Sequence, residues 1–101
     1  MIFDIVKVWN VIGDAPLYLY RPRDDIRGTI PFAKNHLVPE IDRVEELNNV
    51  LRQANHAFVL MEYRLLEPVR NDPAWAHTYI KCEFIWNQIR EYVLLSQATN
   101  H

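Results

Sequence analysis

The chain has 101 residues, 50% of them apolar and 24% charged, with a formal charge of -2 and one cysteine. Such a composition describes one globular domain and not a disordered segment. The charge gives the whole chain no electrostatic pull towards nucleic acid or an anionic membrane, and a lone cysteine excludes an intrachain disulfide.

From Met1 to Ile12 the chain is apolar but carries Asp4 and Lys7 and has no cationic leader, so no signal peptide is expected. No run reaches the ~18 apolar residues of a membrane helix, and the expected location is cytoplasmic. Ile2, Ile5, Val6, Trp9 and Ile12 fit one face of a short helix that Gly13 and Pro16 would stop. The same residue types suit a strand. In that case Gly13 to Pro16 is a turn and Leu17 to Tyr20 the returning partner of a β-hairpin.

Residues 21–38 hold Pro22, Gly28 and Pro31, with Pro39 directly after, and read as an irregular connection. Ile26, Ile30, Phe32 and Leu37 would pin it to the rest of the fold. It also carries Arg21, Arg23, Arg27, Lys34 and His36, offset by Asp24 and Asp25. This basic segment can face an acidic partner or a phosphate, or be a solvated loop with local ion pairs.

Two long helices are predicted next, over about 39–67 and 73–97. Val44, Leu47, Leu51, Ala54, Phe58, Met61 and Leu65 recur at steps of three and four, which lines them along one seam. Pro39, Glu40, Asp42, Glu45 and Glu46 suit its N-terminal end, and Pro68 stops it. Trp75, Tyr79, Cys82, Trp86, Ile89 and Val93 repeat the spacing after Asp72 and Pro73. The fold class is therefore mainly α: a long antiparallel helical hairpin, with the N-terminal short helix or β-hairpin packed against it, in a single helical domain over 1–101. The alternative is α+β.

Residues 57–61 are apolar all round, and Ile80, Phe84, Leu94 and Leu95 stand off the second seam. A two-helix hairpin cannot cover both faces, so these four residues are expected to bind a partner, as a homodimer completing a four-helix bundle. Arg21, Arg23 and Arg27 are the other candidate contact residues. Asn48, Asn55 and Glu62 lie seven apart at the seam's edge, where buried polar groups can set register. A metal-ligating or acid role for Glu62 would need a Glu-x-x-His partner, and the sequence has none; His56 and His77 lie on other faces. Cys82 sits in the seam as a buried thiol without a base beside it in sequence. Gly13 and Gly28 form no phosphate loop.

No catalytic, cofactor or metal residue is assigned, and the chain is not expected to be an enzyme. The function read from sequence is a small helical protein-interaction module: an adaptor, regulator, inhibitor or accessory subunit. The alternative is a dimeric nucleic-acid-binding regulator using 21–34, with Tyr18 and Tyr20 supplying aromatic surface beside the arginines.

Overall fold

The computed structural model describes residues 5–28, 38–53, 57–75 and 78–97, with the side chains of Ile5, Gln53, Ala74, Tyr79, Trp86 and Gln97 excepted. Sequence expectations that fall on Ile2, Asp4, Ile30, Phe32, Lys34, His36, Leu37, Ala54, Asn55, His56 and His77 lie outside the described residues, as do those on the side chains of Ile5, Tyr79 and Trp86.

Helix α1 (Ile5–Ile12) turns Val8 and Ile12 inwards, one helical turn apart, and leaves Val6 and Val11 outside. It ends where Gly13 takes φ +58 and its N–H donates to the Trp9 carbonyl, a left-handed cap that a residue with a Cβ would adopt at a cost. Strand β1 (Leu17–Tyr20) comes after it, then a helical stretch α2 at 24–28 that buries Ile26. Next come β2 (Glu40–Ile41), α3 (Val44–Gln53) and β3 (Phe58–Glu62). A 3₁₀ turn at Tyr63–Leu65 leads into the single turn α4 (Leu66–Val69), and a second 3₁₀ turn spans Pro73–Trp75. The long strands β4 (Thr78–Trp86) and β5 (Ile89–Gln97) complete the fold.

The strands form one mixed sheet in the order β2-β1-β3-β5-β4. β1 pairs parallel with β2 and β3, while β5 runs antiparallel to both β3 and β4. One face carries Leu19, Phe58, Leu60, Tyr92 and Leu94 against α1 and Ile26. The other carries Val59, Met61, Val93 and Leu95 against Leu47 and Leu51 of α3, Leu66 and Val69 of α4, and Trp75. Three layers result, so the central strands β3 and β5 are covered on both sides. At about 1.5–3 kcal/mol for each fully buried aliphatic side chain, these two strands supply much of the apolar driving force.

The architecture is α+β, which corrects the mainly α reading and its helical hairpin and bundle. The first expected helix, 39–67, is broken into β2, α3, β3 and the turns after it. Within the second, 73–97, Pro73–Trp75 is a 3₁₀ turn and 78–97 a β-hairpin closed by Asn87 and Gln88, whose φ values of 49 and 66 suit a tight two-residue turn between twisted strands. The cause lies in burial. A strand covered on both faces carries a continuous apolar run, and such a run has the same signature as a helix apolar all round. Of the two N-terminal options, residues 5–12 are helical, and Leu17 to Tyr20 pair with β3 rather than folding back on them.

Both sheet edges are guarded. β2 is two residues long, and β4 is interrupted by register shifts at Ile80/Cys82 and Phe84/Ile85 and carries Lys81 and Glu83. Short, bulged and charged edges resist pairing with another chain.

Candidate functional site

The connection from β1 through α2 leads to β2 on one side, and the next, through α3, crosses to β3 on the other. The chain therefore reverses direction across β1, and the two connections use opposite faces, with Ile26 in one core and Leu47 in the other. Where connections part in this way, a crevice opens beyond the carboxyl ends of the parallel strands. At this end lie Arg21 and Arg23 after β1, Arg43 after β2, and Glu62 and Arg64 at the end of β3. The antiparallel partner β5 adds Arg90, Glu91 and Tyr92, since Glu62 stands opposite Tyr92.

Three of these arginines are set on tyrosines. The Arg23 guanidinium lies 4.8 Å from the Tyr92 ring centre, and its Nε donates to the Tyr92 hydroxyl at 2.7 Å. Arg90 sits 5.3 Å from the Tyr63 ring and donates to the Tyr63 hydroxyl at 3.0 Å. Arg21 lies 5.5 Å from the Tyr20 ring, and its Nε donates to the Asp42 carbonyl at 2.7 Å. Its backbone has φ 44, a left-handed conformation that costs a residue with a Cβ of order 1 kcal/mol and tends to occur where geometry matters.

Buried Glu62 is the anionic centre of the cluster. Arg64 reaches both of its oxygens, at 3.1 and 3.3 Å, and Arg23 approaches to 3.7 Å. A buried carboxylate needs such company. Arg23 also meets Glu91 at 3.4 Å, and Arg90 meets Glu83 at 3.1 Å. In each pair the arginine is the more exposed side chain: 72% against 6% for Arg64 and Glu62, 40% against 26% for Arg23 and Glu91, 51% against 30% for Arg90 and Glu83. Glu62, Glu91 and Glu83 thus lie inside their arginines, whereas Asp25 and Glu45 are as exposed as Arg23 and Arg43. Burial pushes the Tyr92 phenol up to about 12, although the hydrogen bond from Arg23 works the other way. Arg23 is raised; burial opposes its charge, but the Tyr92 hydrogen bond and nearby Asp25 and Glu62 outweigh it.

β5 runs three residues beyond the last β3 pair, so the β4–β5 turn projects past this same end. It carries Ile85 and Ile89, 60% and 61% exposed, the largest apolar side chains left open among the described residues along with Val6 and Val11.

The residues expected to bind a partner are distributed differently from the sequence reading. Phe84, Leu94 and Leu95 are buried in the chain's own two cores and Ile80 is half-buried, so there is no helix face for them to occupy. Arg21 and Arg23 belong to the cluster above. Arg27 does not: it is held by Glu40 at 3.0 Å and Asp24 at 2.9 Å beside α2. Cys82 is half-buried on β4, and burial raises its thiol, which keeps it protonated near neutral pH. Asn48 is buried and accepts a hydrogen bond from the Trp75 indole at 3.1 Å. Among the described residues no group of three or more His, Cys, Asp and Glu side chains could hold a metal ion. No described helix is long and apolar enough to cross a membrane.

Sequence reasoning missed Arg43, Arg64, Arg90, Ile85 and Ile89; the last three share the β4–β5 turn, but only the sheet order brings that turn to the same end as Arg43 and Arg64. Compared with known protein families, curated proteins and solved structures, the chain matches none.

Proposed function

We propose that this chain is a small protein-interaction module that presents the arginine–tyrosine end of its sheet to an acidic segment of another protein. One observation carries the reading: five arginines, three of them fixed on tyrosine rings, converge with two exposed isoleucines at a single end of the sheet. Arginine and tyrosine are the residue types that interfaces favour. Side chains already held in place lose little entropy when a partner arrives. Outward guanidinium groups suit carboxylates, which they can bind bidentately, while Ile85 and Ile89 offer apolar contact beside them.

A protein partner is favoured over nucleic acid because the arginines share this end with exposed Ile85 and Ile89, which apolar side chains of a peptide can cover and a phosphate backbone cannot. A second copy of this chain is a poor occupant, since a two-fold contact would set the same arginine-rich face against itself.

The test is titration with a synthetic peptide of alternating glutamate and phenylalanine, beside a single-stranded oligonucleotide of equal charge. The peptide should bind, weaken as salt rises, and lose about tenfold in affinity on the double change Arg43→Ala with Ile89→Ser. Both positions are exposed, so the fold should survive. Absence of peptide binding would refute the proposal, and tighter binding of the oligonucleotide would replace it with the nucleic-acid reading.

A further inference from the structure

Strand β3 is apolar and buried from Phe58 to Met61, and its last residue breaks that pattern. Glu62 is 5% exposed, the one charged side chain that is buried among the described residues. By the two-residue period of a strand it points to the same face as Phe58 and Leu60, where an apolar residue would simply extend the core. Replacing a buried ion pair with apolar groups is often neutral or stabilising, so stability does not account for a carboxylate here. Residues that break a fold's local pattern are expected at functional sites.

The Arg64 Nε and Nη2 donate to the two Glu62 oxygens at 3.3 and 3.1 Å, a side-on fork. A guanidinium is planar and carries five N–H donors. Glu62 takes two of them, and the plane turns the other three, on Nη1 and Nη2, away from it. Because the Arg64 side chain is 72% exposed, that outer edge lies at the surface.

We infer that Glu62 is a positioning residue, which holds Arg64 so that its outer edge seats an aspartate or glutamate carboxylate of the partner. The inference rests on the acidic-partner reading above and assigns one contact of it to named groups. An unsupported arginine loses rotamer freedom when it binds, whereas one held by a buried carboxylate has lost it on folding. The outer edge presents two parallel N–H groups, which a carboxylate meets with both oxygens. Lysine, a point charge, has no such edge. Arg23, 3.7 Å from the same carboxylate, ties the turn after β1 to this seat. Glu62 also opposes the incoming charge, but the guanidinium lies between the two carboxylates, so each is nearer to the cation than to the other.

The test uses the glutamate–phenylalanine peptide with an amidated C-terminus, so that side-chain carboxylates are the only ones present. Glu62→Leu, Glu62→Gln and Arg64→Lys should each bind it about tenfold more weakly than wild type, the loss of one charge-assisted contact. The thermal midpoint of Glu62→Leu should stay level or rise. In the free protein the Arg64 Nε–H signal should exchange with water more slowly than that of exposed Arg70, and Glu62→Leu should abolish the difference. The inference falls if Glu62→Gln binds as tightly as wild type or more tightly, which would make Glu62 neutral or a competitor for Arg64. It falls too if Arg64→Lys, a change at an exposed position that the fold should survive, binds normally, or if Glu62→Leu leaves the Arg64 exchange unchanged. Wild-type protein that binds no peptide overturns the acidic-partner reading along with it, whereas equal binding by wild type and all three variants overturns this inference alone.

Discussion

Raising the pH probes the burial of Tyr92 without changing a covalent bond. Burial lifts this phenol from 10 to about 12, against the opposing hydrogen bond from Arg23. Below pH 10 the phenol is protonated in both states and its contribution to stability is complete. Between pH 10 and about 12 the unfolded chain releases the proton while the folded chain keeps it. The unfolded state then binds fewer protons, so stability falls as pH rises. At 1.36 kcal/mol for each pKa unit, the loss across this window is about 2–3 kcal/mol. Urea midpoints measured over a pH series on wild type and Tyr92→Phe isolate it, because the other tyrosines and the lysines titrate in both proteins. Near neutral pH the variant should be less stable, since it lacks the hydroxyl that accepts from Arg23, a bond to a charged donor worth about 1.5–3 kcal/mol. Above pH 10 the gap should close, as only the wild type carries the titrating phenol. A gap that stays constant from neutral pH to about 12 would refute the burial argument.

The two cores should respond alike to truncation: Leu94→Ala on one face and Leu47→Ala on the other should each lower stability by about 2–5 kcal/mol in denaturant melts. A change below about 0.5 kcal/mol at either would assign that side chain to the surface. Gln88→Gly should raise stability by up to about 1 kcal/mol, because Gln88 sits at φ 66 and glycine adopts that conformation without a steric cost. Thermal midpoints decide this, and a lowered midpoint would mean that the turn is not left-handed there.

Local signals were legible wherever one element's own residues set its structure. Val44, Leu47 and Leu51, with Glu45 and Glu46 in the first turn, announce α3, and Gly13 announces the end of α1. Pro68, the expected stop of a long helix, lies inside the single turn α4, and Pro73 opens a 3₁₀ turn that precedes a strand and not a helix. Over 73–97 two periods coincide. Trp75, Tyr79, Cys82, Trp86, Ile89 and Val93 satisfy the helical three-and-four spacing, but Ile80, Cys82 and Phe84 also alternate at the strand period. The segment's wealth of β-branched and aromatic residues favoured the strand. The turn residues Asn87 and Gln88 lack the glycine that usually signals a two-residue hairpin.

Composition and apolar runs are properties of the chain alone, and they suffice to show an apolar stock that needs covering on more than one face. They also place an arginine-bearing segment after Tyr20. The identity of the cover is a matter of tertiary contacts. Phe84, Leu94 and Leu95 are buried by α1, α3 and the turns around Trp75, and leave no helical interface open. The gathering of Arg21, Arg23, Arg43, Arg64 and Arg90 at one end of a sheet is of the same kind. Their proximity comes from strand order and direction, which arise from contacts between residues distant in the chain, and no local periodicity encodes those contacts.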